Sequence, residues 1–316
     1  MSYLLRLSAC LLLCVSLSSF GAFTPTILES RSISQMIDGQ IVQREYFIRY
    51  PAVQNQTSYP LVLFFHGAGG NGLGMLNPEA ENLIDQDEFI GVFPSGFQNR
   101  WNVDGETTAD DVEFVRLMLN ELAVDVRFDI AKVYGIGRSN GAGMVNKLAK
   151  ETALFTGVAP IASQQLVLQG NMVPLRPVSI FQVNGDNDTV IPLEGGLVFG
   201  SKLFLSAQAS AENWAASFDC TQTPAVEELD WGDATVQSYL YADCLEGKEI
   251  RYLVVEGAGH SMVVGGGFSL YQEIWLFFKT QQAEPIADTE VPMINEAGFL
   301  IMAASLILLV RSQQLS

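Results

Sequence analysis

Short apolar segments alternate with helix-like segments through the middle of the chain. The apolar segments are rich in β-branched and aromatic residues, as in LVLFFH (61–66) and KVYGIG (132–137), and each has the length of one buried strand. The clearest helical pattern, DDVEFVRLMLNELA (110–123), begins with two aspartates, which favour a helix N-terminus. Near-continuous apolar strands that alternate with helices are typical of parallel sheets covered on both faces. The sequence therefore predicts an α/β fold with a mostly parallel, doubly wound sheet flanked by helices.

The predicted elements form one domain. Strands are expected at 43–50, 61–66, 89–94, 132–137, 157–162, 179–185 and 250–257, and helices at 110–123, 140–150, 201–217 and 267–280. Neither an internal repeat nor a low-complexity linker interrupts this series. We therefore expect a single domain at residues 23–282, between two terminal segments of different character.

The terminal segments have the composition of targeting sequences. Residues 1–22 contain Arg6, an apolar stretch and small residues at the end, the layout of a secretory signal peptide. Residues 283–316 contain an apolar segment, 298–310, followed by Arg311. This segment is shorter than the roughly 20 residues that usually span a bilayer, and its layout resembles the C-terminal tails that bacterial exosortase-type systems process. We expect a secreted or periplasmic protein, with attachment to the membrane or cell surface through the tail left open.

The acidic balance of the chain excludes some partners. It has 17 Lys and Arg against 35 Asp and Glu, a formal net charge of −18, which repels nucleic-acid phosphates. The chain has two histidines and no CxxC spacing among its four cysteines, so neither a zinc site nor another cofactor is expected. Removal of the signal peptide would leave Cys220 and Cys244, which we expect to form a disulfide in an oxidising compartment.

A glycine-rich junction, GIGRSNGAGM (135–144), connects a predicted strand to a predicted helix. A dinucleotide-binding turn requires G-x-G-x-x-G, but Asn140 occupies the position of the third glycine. GAGGNG (67–72) has that pattern, yet the next strand ends without an acidic residue to bind a ribose. GRSNG (137–141) fits the G-x-S-x-G nucleophile elbow, which places Ser139 in a strained turn between strand and helix. We therefore interpret the junction as a nucleophile site.

A serine nucleophile requires a base and an acid. The available histidines are His66 and His260, and the α/β-hydrolase chain order of serine, acid and histidine selects His260. The acid should follow a strand between Ser139 and His260. The segment after the predicted strand at 179–185 offers both Asp186 and Asp188, and periodicity does not choose between them.

Eight segments together resemble a known family. In chain order they are PLVLFFHGAGGNG, FIGVFPSG, WNVDG, DDVEFVRLML, KVYGIGRSNGAGM, GVAPIA, NGDNDTVIP and GAGHSM. This series resembles the secreted α/β-hydrolase esterases that include polyhydroxybutyrate depolymerases and feruloyl or acetylxylan esterases. The family's acid loop reads roughly H-G-x-x-D-x-x-V-P, so the resemblance assigns the acid to Asp188, and the family's paired cysteines match Cys220 and Cys244. Asn184 and Met262 replace a histidine and a tryptophan that are usual in the family, which indicates a different bound group.

The resemblance and the triad imply a serine esterase that acts through an acyl-enzyme. Expected substrates are feruloyl or acetyl esters of polysaccharides, or hydroxyalkanoate oligomers. Backbone N–H groups of Ala68 and Asn140 are the expected oxyanion-hole donors. Trp101 is expected to form either a wall of the substrate site or an ordinary core aromatic, and His66 is expected beside the substrate.

Three alternatives stay open. A peptidase or an acyltransferase can use the same triad, and a non-catalytic relative would bind a ligand in the same pocket. The chain has no long apolar insertion between Gly141 and Asp188 that could form a lipase-like lid. We therefore expect a shallow pocket that accepts short or aromatic acyl groups.

Overall fold

The computed structural model describes residues 27–281. The expected signal peptide, 1–22, and C-terminal tail, 283–316, lie outside the described residues. Within the described part of the chain, the helices are too short or too polar to cross a membrane.

The bounds of the elements are as follows. The strands are β1 (Leu28–Ile37), β2 (Gln40–Arg49), β3 (Tyr59–Phe65), β4 (Ile90–Pro94), β5 (Phe128–Arg138), β6 (Gly157–Ile161), β7 (Ser179–Gly185), β8 (Gly196–Val198), β9 (Lys202–Phe204), β10 (Ala225–Asp230), β11 (Thr235–Tyr241) and β12 (Ile250–Val255). The helices are α1 (Gly72–Met75), α2 (Pro78–Ile84), α3 (Asp111–Leu122), α4 (Asn140–Glu151), α5 (Val167–Gly170), α6 (Ala207–Ser217) and α7 (Leu270–Thr280).

Ten of these strands form one sheet, in the order β1-β2-β4-β3-β5-β6-β7-β12-β11-β10. The six central strands, from β4 to β12 in this order, are parallel. Two antiparallel strands extend the sheet at each edge. All seven predicted strands are present, and the predicted α/β fold with a mostly parallel sheet is confirmed.

Helices cover both faces of the sheet, which explains why its central strands are apolar along their whole length. Side chains of α3, α4 and α6 pack into the core on one face, and those of α1, α2 and α7 pack on the other. Every residue of β4 and β6 is buried. Removing so much apolar surface from water is the main favourable contribution to folding.

Two predicted helices begin later than expected. The segment predicted as helix 201–217 starts with β9, and α6 begins only after Ser206, whose side chain accepts a hydrogen bond from the N–H of Ala209. In the segment predicted as 267–280, the side chain of Ser269 accepts a hydrogen bond from the N–H of Gln272 at the start of α7. Both serines are N-caps, which satisfy N–H groups left unpaired by the first helical turn.

Candidate active site

Ser139 is the single residue between β5 and α4, at the C-terminal end of a central parallel strand. Its backbone has φ 53° and ψ −116°, a strained conformation for a residue with a side chain. A Cβ on Gly137 would overlap the carbonyl group of Gly141, and a Cβ on Gly141 would overlap the carbonyl group of Phe65. The two glycines therefore let strand and helix approach closely enough to hold this turn.

The structure brings Ser139, His260 and Asp188 together. Asp188 follows β7 and His260 follows β12, and these two strands are parallel neighbours. Ser139 Oγ lies 2.9 Å from His260 Nε2, and His260 Nδ1 lies 2.8 Å from Asp188 Oδ2. The Asp188 side chain is only 2% exposed, whereas that of His260 is 24% exposed. This geometry allows the imidazole to take a proton from the serine while the carboxylate orients it.

Asp186, the other carboxylate that follows β7, has a different role. Asp188 Oδ1 accepts hydrogen bonds from the N–H groups of Val190 and Ile191, at 2.8 and 2.9 Å, which leaves Oδ2 for His260. Asp186 instead accepts a hydrogen bond of 2.7 Å from the N–H of Gly257, at the end of β12. Asp186 thus joins two loops, and Asp188 is the carboxylate that contacts the histidine.

Two backbone N–H groups are available beside Ser139. Ala68 and Asn140 line the same cavity as Ser139, and among residues 27–281 neither N–H is hydrogen-bonded to a protein acceptor. The loop that carries Ala68 is fixed by a 2.8 Å hydrogen bond from Gly69 N–H to the carbonyl oxygen of Asn99. Donors of this kind can stabilise negative charge on a substrate oxygen.

His66 and Trp101, which the sequence places near the substrate, are buried and are not among the residues that line the cavity, and Trp101 has the environment of the core aromatic that is the alternative expectation. Their exposed fractions are 2% and 0%. His66 Nε2 accepts a 2.9 Å hydrogen bond from Gly96 N–H, so Nδ1 carries the proton and donates to the carbonyl oxygen of Gly67 at 2.7 Å. Burial lowers the pKa of His66. The Trp101 indole N–H donates to the carbonyl oxygen of His66 at 2.9 Å, so both side chains support the loop that carries Ala68.

The side chain of Asn140 connects the turn at Ser139 to the backbone of Trp101. Its side-chain oxygen accepts a 2.7 Å hydrogen bond from Trp101 N–H, and its side-chain nitrogen donates to the carbonyl oxygen of Trp101 at 3.0 Å. Sequence analysis predicts only the backbone donor of Asn140. An asparagine amide can bond both the N–H and the carbonyl oxygen of another residue's backbone. Which residue it bonds depends on the tertiary fold, so the contact with Trp101 is not predictable from the sequence.

The cavity in front of Ser139 has a volume of about 420 Å³. Its walls are mostly apolar, and the charged residues that line it are Arg100, Glu106 and Lys202. The β8–β9 hairpin supplies part of the wall, including Phe199 and Phe204. Lys202 Nζ lies 3.1 Å from a Glu106 carboxylate oxygen and 3.3 Å from one of Asp104. The hairpin follows the acid loop and borders the cavity, so part of the wall comes from a segment outside the 141–188 interval to which the expectation of no lid applies.

A buried amide network behind the acid loop was missed by sequence analysis. The side-chain nitrogen of Gln164 donates to the carbonyl oxygens of Pro192 and Leu205, at 2.9 and 3.0 Å. Asn184 donates to the side-chain oxygen of Gln164 at 3.0 Å, and both side chains are buried. Gln164 thus joins the acid loop to the segment after β9. Polar residues directly after the buried strand β6 were the available signal.

The predicted disulfide between Cys220 and Cys244 is confirmed. It joins the segment after α6 to the segment after β11. Residues 27–281 contain no group of three or more His, Cys, Asp or Glu side chains placed to hold a metal ion.

Sequence comparisons find esterases. No protein-family model matches the chain. It is 27% identical over 233 residues to feruloyl esterase B of Piromyces equi, which covers 69% of this chain and 42% of that one. It is 31% identical over 144 residues to the putative esterase NocK of Nocardia uniformis subsp. tsuyamanensis, covering 43% and 42%. Feruloyl esterase C of Emericella nidulans is 24% identical over 284 residues, covering 83% and 96%. The chain thus spans less than half the length of the first two relatives and nearly all of the third.

Solved structures agree with the fold. Acetyl xylan esterase from Aspergillus awamori superposes with a TM-score of 0.55 at 14% identity, covering 79% of this chain and 99% of that one. Thermogutta terrifontis esterase 2 gives a TM-score of 0.52 at 13% identity, covering 79% and 92%. The predicted resemblance to feruloyl and acetylxylan esterases is confirmed at the level of sequence similarity. The chain has the α/β-hydrolase fold, and its sequence is similar to those of feruloyl esterases.

Proposed function

We propose that the protein is a serine hydrolase of carboxylic esters, with Ser139 as nucleophile, His260 as base and Asp188 as the acid that orients the base. The observation that carries this proposal is the continuous pair of contacts from Ser139 Oγ to His260 Nε2, 2.9 Å, and from His260 Nδ1 to Asp188 Oδ2, 2.8 Å. The esterase names of its relatives support the same reaction class.

In the proposed acylation step, Ser139 Oγ attacks the ester carbonyl carbon while its proton passes to His260 Nε2. The carbonyl oxygen becomes an oxyanion, to which the N–H groups of Ala68 and Asn140 donate. Each such donor typically stabilises the transition state by about 3 kcal/mol. The tetrahedral intermediate then expels the alcohol, which receives the proton from His260, and the acyl group remains on Ser139. In deacylation, water gives a proton to His260 and attacks the acyl carbon, and the bond to Ser139 Oγ breaks as the serine takes that proton back. The carboxylic acid is then released.

Asp188 acts on the imidazole in both steps. Its Oδ2 accepts the hydrogen bond from His260 Nδ1–H, which keeps the other ring nitrogen free to accept the serine proton. The two N–H groups that bind Oδ1 prevent the carboxylate from rotating away. Asp188 also stabilises the imidazolium that forms when the serine proton is transferred.

The cavity supports short or aromatic acyl groups as substrates. A volume of about 420 Å³ with mostly apolar walls can bury an acetyl or feruloyl group, but not a long alkyl chain together with the alcohol. The proposed substrates are therefore feruloyl or acetyl esters of polysaccharides, with hydroxyalkanoate oligomers as the second class. Export of the domain at 23–282 belongs to the same proposal, since polymeric substrates lie outside the cell.

Hydrolysis of p-nitrophenyl esters tests the proposal. Each CH₂ that the cavity cannot bury gains none of the roughly 0.8 kcal/mol that burial would contribute, so kcat/KM should stop rising once the acyl chain fills the cavity and should not increase from octanoate to palmitate. Ser139→Ala should abolish the activity. A steady rise of kcat/KM to palmitate would indicate a lipase, and faster cleavage of an alanine p-nitroanilide would indicate a peptidase. Methyl ferulate and a hydroxybutyrate oligomer, assayed side by side, distinguish the two substrate classes.

A further inference from the structure

Arg100 is a solvent-exposed residue at the border of the cavity, and no described carboxylate forms an ion pair with it. It lines the cavity together with Ser139, and among residues 27–281 its guanidinium makes neither an ion pair nor a hydrogen bond. The other lysine or arginine that lines the cavity, Lys202, already contacts the carboxylates of both Glu106 and Asp104. Arg100 is therefore the cavity cation that is free to bind a ligand.

The backbone on both sides of Arg100 is fixed to the two halves of the proposed oxyanion hole. The carbonyl oxygen of Asn99 accepts a 2.8 Å hydrogen bond from Gly69 N–H, next to Ala68. The N–H of Trp101 donates at 2.7 Å to the side-chain oxygen of Asn140. Asn99 and Trp101 are the sequence neighbours of Arg100, and both are held by these hydrogen bonds. The backbone of Arg100 therefore lies on the side of the cavity where the ester carbonyl would bind.

The chemistry of this position indicates what it would bind. Guanidinium presents a planar set of N–H donors that matches a carboxylate, and the chain around it is strongly acidic, with a formal charge of −18. A single free guanidinium balances one negative charge. A dianion would leave a second charge unbalanced in a cavity that already contains Glu106, so a carboxylate fits better than a phosphate monoester.

We infer that the site prefers esters that carry a carboxylate near the scissile bond, and that Arg100 binds this carboxylate. This inference rests on the proposed esterase function and specifies its substrate class. The carboxylate can belong to the alcohol part of the ester or to the acyl part, and the two arms of the experiment distinguish these sources.

The experiment compares each charged ester with a neutral amide of nearly the same shape. The alcohol arm uses 4-acetoxybenzoate and 4-acetoxybenzamide, and the acyl arm uses methyl hydrogen adipate and methyl adipamate. For each ester, kcat/KM is divided by the rate constant of its alkaline hydrolysis, which removes differences in intrinsic reactivity. The proteins are wild type, Arg100→Gln, Arg100→Lys and Arg127→Gln. Arg127 directly precedes β5, whereas Ser139 directly follows it, so Arg127→Gln removes the same charge far from the cavity.

We expect wild type to prefer the carboxylate in one arm by about two- to fivefold, the usual size of an ion pair at an exposed arginine. Arg100→Gln should lose this preference, Arg100→Lys should retain part of it, and Arg127→Gln should match wild type. Raising the salt concentration should reduce the preference, because exposed charges are screened.

Equal rates on the charged and neutral members of both arms, or a preference that survives in Arg100→Gln, would overturn the inference while leaving the esterase proposal intact. Measurable hydrolysis of the amide esters by Arg100→Gln shows that the variant is folded. If wild type hydrolyses none of the four esters and does not hydrolyse p-nitrophenyl acetate, both the inference and the esterase proposal are overturned.

Discussion

Asp186 and Asp188 follow the same strand, yet their hydrogen bonds give them different roles. The sequence narrows the acid to this pair, and the family pattern then selects Asp188. In the structure Asp188 lies 2.8 Å from His260 Nδ1, while Asp186 bonds the backbone of Gly257. Local sequence could not make this distinction, because the direction of each side chain depends on where β12 places His260.

The two aspartates give a matched test of the acid. Asp188→Asn should lower kcat by roughly 10⁴-fold, because an amide favours the wrong imidazole tautomer. Asp186→Asn keeps an oxygen that can accept from Gly257 N–H, so its kcat should stay within a few fold of wild type. Steady-state kinetics on p-nitrophenyl acetate measure both. The opposite order of the two effects would assign the acid to Asp186.

His66 and Trp101 show why substrate contacts are harder to predict than triad members. Both belong to segments near Ser139, and Trp101 contacts Asn140, the residue after Ser139. The burial of His66 and Trp101, 2% and 0% exposed, depends on tertiary contacts, among them the hydrogen bond of His66 Nε2 with Gly96 and that of the Trp101 indole with His66, which no local pattern predicts. The triad is constrained by chemistry and chain order, whereas a wall residue is constrained only by packing.

At the scale of elements, the predicted strands are those buried on both faces, together with β2. The missed strands are the two edge strands β1 and β10, the strand β11 that pairs with β10, and the β8–β9 hairpin beside the cavity. β1 alternates between exposed and buried residues only in its second half, and β10 is exposed along nearly all its length. Edge strands need little apolar surface because one face or one edge meets water. Their pairing is therefore determined by neighbours rather than by their own hydrophobic pattern.

The close packing around the turn at Ser139 predicts that Gly141 cannot be replaced without loss of stability. A methyl group on Gly141 would overlap the carbonyl groups of Phe65 and His66, so Gly141→Ala should lower the free energy of unfolding by about 3 kcal/mol or more. Gly74→Ala is the control, because its Cβ would meet its nearest neighbour at an ordinary 3.6 Å and alanine favours a helix. Urea unfolding of both variants measures the difference, and equal stabilities would contradict the close approach.

The last turn of helix α4 contains a buried lysine, Lys150, whose titration makes the free energy of unfolding depend on pH. Lys150 Nζ donates to Met172 and Asn213, and it lies 4.1 Å from the centre of the Trp214 ring. Burial lowers the pKa of Lys150 to about 8, below the value of about 10.4 expected in the unfolded chain. The unfolded chain therefore binds this proton more tightly, so the lysine's contribution to stability rises with pH between about 8 and 10.4 and is lost as pH falls through that window.

Lys150→Met isolates this contribution. The free energy of unfolding of wild type, minus that of the variant, should increase by about 1–2 kcal/mol between pH 8 and pH 9.5. Urea unfolding at several pH values measures it. A difference that is constant with pH would mean that the folded protein does not perturb this lysine.

At the scale of the whole molecule, the α/β class and the mostly parallel sheet follow from the alternation of apolar strands and helices. The cavity does not, because its walls come from segments far apart in sequence: the loop at 100–106, the segment 163–166 that precedes α5, and the β8–β9 hairpin. Only the second strand of the hairpin, β9, falls within a segment predicted as helix. The fold of the hairpin depends on tertiary contacts, among them the ion pair between Lys202 and Glu106.

The disulfide links two segments that are 24 residues apart. A closed loop of this size typically contributes roughly 3 kcal/mol by restricting the unfolded chain. Reduction should therefore lower the Tm of wild type by about 5–10 °C. The double variant Cys220→Ser/Cys244→Ser should start at the lower Tm and not respond to the reductant. Calorimetry with and without reductant checks this, and a wild-type Tm insensitive to reduction would contradict the contribution.

Covalent labelling of the intact protein tests the assignment of Ser139 as nucleophile most directly. A fluorophosphonate should react once per chain, with complete loss of p-nitrophenyl acetate hydrolysis, because its phosphorus accepts the activated serine oxygen. Mass spectrometry of the digested protein should place the adduct on Ser139, and Ser139→Ala should take up no label. An adduct on another residue that accompanies the loss of activity, or full hydrolysis by Ser139→Ala, would contradict the account.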